Sequence, residues 1–238
     1  MEQTIIAAQF NGPDTTGNGG YVCGLIADRL AGTSTVRTSS LRTPPPLELP
    51  LTWEAGDDSI SLIEAPSTVV GTAGPGAFGD DVLPCPTPEQ AQSGHDAYPG
   101  FHHHPFDRCF TCGTQRKPGD GLRLFTGPIA DSTVAAPWTA HEDFGGADGR
   151  ISVPVMWAAL DCPGGWAADF NKQPMVLGRM TAEILRLPTV GEPCLSIGGR
   201  QRTEGRKFFT NTALYSVDGE LLGRAEQIWI SIDLKNFS

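Results

Sequence analysis

One carboxylate set in an apolar, small-residue stretch constrains this chain most. The run Pro154-Val155-Met156-Trp157-Ala158-Ala159-Leu160-Asp161-Cys162-Pro163-Gly164-Gly165-Trp166 has no polar face, so a helix built from it must be buried. Asp161 has no cation within four residues on either side, so no local ion pair explains it. A carboxylate in such surroundings is costly unless it is paired or used. The segment that follows, Met175–Asp233, is strongly β-patterned. A buried helix followed by four long strands predicts a sheet wrapped around one central helix.

The first half carries a weaker echo. Asn18-Gly19-Gly20-Tyr21-Val22-Cys23-Gly24-Leu25-Ile26-Ala27 is another Gly-opened helix, and β-type runs follow it from Thr35 to about Val70. The halves share a pattern rather than residue identities, which reads as an internal duplication. Strands are expected at Ile5–Phe10, Thr33–Leu41, Leu47–Ala55 and Ser59–Glu64, with Gly56-Asp57-Asp58 as a hairpin turn and Pro44-Pro45-Pro46 as a break. Regularity fades from Gly71 to about Gly121, a length that suits a crossover between two halves rather than an ordinary loop. Strands resume at Leu122–Phe125 and Ser132–Pro137, then at Val176–Leu187, Cys194–Thr203, Lys207–Val217 and Leu221–Ile232. Asp218-Gly219 is a hairpin signal, and Ile228, Ile230 and Ile232 alternate on one face. Pro163 removes a hydrogen bond to the Ala159 carbonyl, so it should kink or end the helix beside Asp161, with Gly164-Gly165 exposing backbone there. The resulting division is 1–84, a crossover at 85–121, and 122–238.

A net charge of −10 over 238 residues argues against nucleic-acid binding. No run of 18 apolar residues predicts a membrane span, and Met1-Glu2-Gln3-Thr4 lacks the features of a signal peptide. The expectation is a cytoplasmic protein with six free thiols. Arg179, Arg186, Arg200, Arg202, Arg206 and Lys207 form either a solvated strand face or a basic patch for an anionic ligand.

On these residues the second half resembles the hotdog acyl-CoA thioesterases, most closely the acyl-CoA thioesterase II group, whose members are double hotdogs. The implied fold class is α+β, a double hotdog with two antiparallel sheets each wrapping a central helix. In that family a helix Asp, a Thr on the next strand and a Gln on the last strand orient the hydrolytic water. Ala158-Ala159-Leu160-Asp161, Arg179-Met180-Thr181-Ala182 and Leu222-Gly223-Arg224-Ala225-Glu226-Gln227 resemble the three motifs. The resemblance therefore implies Asp161, Thr181 and Gln227 as the catalytic set. Asn18-Gly19-Gly20 resembles the His-Gly-Gly turn of a phenylacetyl-CoA thioesterase branch, with Asn in place of His. There the acid comes nine residues later, and Ala27 occupies the matching position here. One site should thus combine the first helix's N-terminus with Asp161, and its counterpart, lacking an acid, should be dead.

Thioester hydrolysis needs a base, positioned N–H donors and an apolar slot. Asp161 suits the first. Asn18, Gly19, Gly20 and Tyr21 suit the second, with the Gly20 and Tyr21 amides as donors. Trp157 is the candidate for the slot, beside Met156 and Trp166. Each has a structural alternative: Asp161 as a cap on backbone freed at Pro163, Thr181 as an ordinary strand threonine, Trp157 as core. The substrate would be an acyl-CoA or acyl-carrier-protein thioester. No cofactor is required beyond the coenzyme A carried by the substrate. Cys109-Phe110-Thr111-Cys112-Gly113 has zinc-knuckle spacing, so a structural zinc is the alternative to unliganded loop residues, with Cys109, Cys112, His104 and Cys85 as its candidate ligands. Two other functions share the fold: a dehydratase or hydratase, and a non-catalytic acyl-thioester-binding protein. A double hotdog is its own pseudo-dimer, so monomer and homo-oligomer are both compatible with the sequence.

Overall fold

A computed structural model describes residues 2–234; the outermost residues of the two terminal segments expected above lie outside that range. Five strands, β1 (Gln3–Ile5), β2 (Val36–Leu41), β3 (Pro50–Ala55), β4 (Ile60–Glu64) and β5 (Thr68–Pro75), belong with helix α1 (Gly19–Asp28). Six more, β6 (Gly127–Ala130), β7 (Thr133–Thr139), β8 (Met175–Ile184), β9 (Pro193–Glu204), β10 (Lys207–Ser216) and β11 (Leu221–Ser231), belong with helix α3 (Val153–Ala167). The fold is a double hotdog. Its strands form one continuous antiparallel sheet, not two: β1-β3-β4-β5-β2-β8-β11-β10-β9-β7-β6, with β2 and β8 as the seam. Pairing two edge strands there satisfies backbone groups that separate sheets would leave open.

Helix α1 packs on β2, β5 and β8, α3 packs on β7 to β11, and the two helices pack on each other. Their approach depends on two glycines one helical turn apart. A Cβ at Gly20 would lie 2.4 Å from Asp161 Cβ, and one at Gly24 would lie 2.6 Å from Trp157 Cβ. Fourteen of the fifteen residues of α3 are buried, as its composition demanded.

Several local expectations are corrected. Helix α3 runs through Pro163 to Ala167. Side chains bond the carbonyls on either side of Ala159, whose own carbonyl loses the Pro163 donor: Thr111 Oγ1 donates to Ala158 O at 3.0 Å, Thr212 Oγ1 to Leu160 O at 2.7 Å, and Gln227 Nε2 to Asp161 O at 3.1 Å. The glycines after Pro163 serve close packing, since a Cβ at Gly164 would overlap Gln227. The crossover holds helix α2 (Pro88–Asp96), opened by a capping box in which Thr87 Oγ1 accepts from Gln90 N–H while the Gln90 side chain accepts from Thr87 N–H. Thr87-Pro88-Glu89-Gln90 was the overlooked signal. Leu122, Leu124 and Phe125 are buried but form no strand, and Ile5–Phe10 splits into the short β1 and a 3-10 turn. On β11 the core-facing set is Ala225, Gln227 and Trp229, not the isoleucines, which are half-buried on the other face. Among the described residues no helix is long and apolar enough to cross a membrane.

Candidate active site

The N-terminus of α1 meets the middle of α3. Asn18 caps α1, its Oδ1 accepting from Tyr21 N–H at 2.8 Å. The next free turn amide, Gly20 N–H, donates to Asp161 Oδ2 at 2.9 Å. The other carboxyl oxygen, Oδ1, is buried and has no hydrogen-bond partner. Burial pushes the Asp161 carboxyl up to about 8, opposed by the Gly20 amide and Asn18, with the nearby Cys109 adding to the rise. A carboxyl placed in that range exchanges protons readily near neutrality.

Asp161 forms part of the wall of a cavity of about 210 Å³. Asn18, Gly19, Leu177, Cys109, Phe170 and Trp229 contribute to the same wall. The Gly19 amide, the first of α1, has no acceptor among the described residues, so the positive end of the helix is presented there. The Phe106, Phe170 and Trp229 rings, with neighbouring centroids 5.7 and 5.8 Å apart, make one side apolar.

The structure brings Asn18, Gly19, Gly20 and Asp161 to one place and reassigns the expected amide donors. Gly20 N–H is spent on Asp161 and Tyr21 N–H on Asn18. Tyr21 turns its ring onto Phe10, with centroids 3.9 Å apart. Gln227 lies behind Asp161. Its Nε2 donates to Leu160 O at 2.5 Å and Asp161 O at 3.1 Å, and its Oε1 accepts from Thr210 Oγ1 and Trp229 Nε1, each at 2.9 Å. It therefore holds the backbone turn that carries Asp161, and its polar atoms are spoken for. Thr181 is not at the site. It pairs across the seam with Thr38, hydroxyl to hydroxyl at 2.8 Å, on the strand face opposite Met180 and Ala182. Trp157 faces a different crevice, with Ala27, Arg37 and Val153.

The cysteine cluster also differs from its expected membership. Cys109 and Cys112 are buried beside each other, and the third member is Cys162 of α3, which nothing in the local spacing singled out. His104 faces away, its Nε2 on Cys112 O at 3.1 Å and its Nδ1 accepting from Phe106 N–H at 2.9 Å. Cys85 is exposed, with its sulfur on Pro86 O. The expected basic patch is largely neutralised: Arg186 pairs with Glu192 and Glu220, Arg200 with Asp169 and Arg202 with Glu204.

No protein-family profile matches this chain, and no curated protein matches it by sequence. Solved structures match its fold along nearly the whole length. A hotdog-fold protein of unknown function from Alicyclobacillus acidocaldarius superposes with a TM-score of 0.62 at 14% identity, covering 97% of this chain and 92% of that one. A Thermobifida fusca protein named as a thioesterase II gives 0.62 at 13% identity over 97% and 92%. A Lactobacillus plantarum protein named as an oleoyl thioesterase gives 0.59 at 9% identity over 98% and 96%. At these identities the likeness is one of fold.

Proposed function

We propose that this chain hydrolyses an acyl thioester, with Asp161 as the group that handles the water's proton. The observation that carries this reading is the split environment of one carboxyl on a residue that lines an apolar cavity: Oδ2 is fixed by the Gly20 amide, while Oδ1 is buried with no partner among the described residues. A water held by the ionised carboxyl, the form that gains as pH rises through about 8, would transfer a proton to Asp161 as its oxygen adds to the thioester carbonyl. The oxyanion would be met by the Gly19 amide at the positive end of α1. Collapse breaks the C–S bond, and the thiolate recovers the proton from Asp161. At about 210 Å³ the cavity falls below the roughly 300–1,000 Å³ typical of sites for drug-sized ligands. It fits a short acyl or aryl group, with the coenzyme A or carrier protein left outside.

A second reading, a thioester-binding protein without hydrolysis, is favoured by one observation: the Asp161 side chain is bonded to backbone, Gly20 N–H to Oδ2, as a structural cap would be. No comparable observation supports a dehydratase, because His104 has both ring nitrogens engaged and His141 caps an exposed turn.

The test is thiol release from acyl-CoA and acyl-carrier-protein substrates, short to long and aryl, by the native chain and by Asp161→Asn. Asn retains an acceptor for Gly20 N–H and loses the proton-transfer role. Release that falls by about 100-fold or more in the variant supports the proposal. Calorimetric binding without release by the native chain selects the second reading. Equal release by both proteins removes Asp161 from the chemistry.

A further inference from the structure

Three thiols converge directly behind Asp161. The sulfurs of Cys109, Cys112 and Cys162 all lie within 4.8 Å of one another, and those of Cys109 and Cys162 are 3.7 Å apart. All three residues are buried and none is in a disulfide. They come from two distant parts of the chain, the crossover turn and helix α3, so the cluster ties one to the other.

Metal–sulfur bonds of about 2.3 Å place thiolates about 3.8–4.0 Å apart around a zinc ion, close to the Cys109–Cys162 separation, and the 4.8 Å span leaves the third sulfur within reach of the same ion. The turn has the build of a thiolate knuckle. The Cys112 amide lies beside the Cys109 sulfur, and Asn18 Nδ2 donates to the same sulfur at 3.6 Å. A side chain at Gly113 would bring its Cβ to 2.5 Å from Cys109 O, so the turn closes only with glycine. Trp166 contributes a second sign. Its indole N–H is buried without a hydrogen-bond partner among the described residues and lies beside Cys112, where a metal-bound thiolate would be a better acceptor than a thiol. Among the described residues no His, Asp or Glu joins the three sulfurs within the same span. Cys109 and Cys162 reach the cavity wall, so a fourth position would open toward the cavity.

We infer that Cys109, Cys112 and Cys162 form a three-thiolate site for a zinc ion that pins the crossover to α3. The site borders the cavity of the proposed hydrolysis, but the two readings fail separately: a metal-free chain could still release thiol, and a zinc-loaded chain could be inert.

The experiment is performed on the reduced full-length chain. Zinc content is measured after purification and after dialysis against zinc. Cobalt titration is followed by thiolate-to-cobalt charge transfer. Cys162→Ser is compared with Cys85→Ser, which alters an exposed thiol outside the cluster. The inference predicts roughly equimolar zinc, a cobalt charge-transfer band, loss of both in Cys162→Ser and retention in Cys85→Ser. It is overturned if the native chain takes up neither metal with its thiols reduced, or if Cys162→Ser binds as tightly. Should Cys162→Ser not fold, alkylation mapped by mass spectrometry on the native chain decides. Zinc must shield Cys109, Cys112 and Cys162 together, and labelling of Cys162 that zinc does not change overturns the inference.

Discussion

The two helices give the molecule two matched ends, and only one has been equipped. Asp161 is the ninth residue of α3 counted from Val153, and Ala27 is the ninth of α1 counted from Gly19. Each therefore lies beside the other helix's N-terminus. At the first end the α1 amides meet a carboxyl, a free Gly19 N–H and an apolar cavity. At the second, Val153 of α3 meets Ala27, the bulk of Trp157, and Arg37, whose guanidinium donates to the Ala27 carbonyl. A cation there adds to the positive end of the helix, so what this end lacks is the carboxyl and not positive charge. The fold supplies the same frame twice. The chemistry follows from what stands at the ninth position and from which charge faces it.

The largest effect expected from that difference is catalytic. Asp161→Asn should lower thiol release by about 100-fold or more, whereas Ala27→Asp should create no second activity, because Arg37 would pair with the new carboxylate. Release assays on the two single variants and the combined one would show it. Activity restored by Ala27→Asp in the Asp161→Asn background would break the asymmetry.

Next come the two glycines. Gly20→Ala drives a Cβ to 2.4 Å from Asp161 Cβ, and Gly24→Ala drives one to 2.6 Å from Trp157 Cβ. Each should cost about 1–3 kcal/mol by overpacking. Thermal melting should therefore report similar losses. Thiol release should not: Gly20→Ala displaces the amide that holds Asp161 and should cost most of the activity, while Gly24→Ala should leave kcat within a few-fold.

Gln227 is a positioning residue rather than a water-orienting one. Gln227→Leu strips acceptors from Thr210 and Trp229 and a donor from the Asp161 carbonyl. A loss of about 2 kcal/mol in stability is expected, with kcat falling more than KM rises. A fall confined to KM, with melting unchanged, would contradict that role.

How much of this was legible in the sequence depends on the range of the interactions involved. The two helices, the hairpins and the long strands of the second half follow from local periodicity and turn chemistry, and they were readable. The pairing of Asn18 and Gly20 with Asp161 was reached only through the resemblance, since a separation of 141 residues leaves no local trace. The persistence of α3 through Pro163 was not readable. The donors that brace the helix there, Thr111, Thr212 and Gln227, are scattered over the chain and meet it only after folding. Cys162 stayed hidden for the same reason. It completes a cluster with a knuckle more than fifty residues away, and by itself it reads as one more small apolar residue on a buried helix.

Thr181 is where the family pattern and the geometry of this chain part, and its expected effect is the smallest. It lies on the β2–β8 seam midway between the two ends, and its hydroxyl bonds that of Thr38, its register partner. The pair joins one half to the other and faces away from both crevices. Thr181→Val keeps the β-branched shape and removes one hydroxyl from a site where Thr38 can turn to solvent. A stability loss under about 1 kcal/mol and release within about twofold of the native chain should result. A drop of 100-fold with unchanged melting would mean that Thr181 acts on the reacting atoms after all, and the division between an equipped and an unequipped end would then have to be redrawn around the seam.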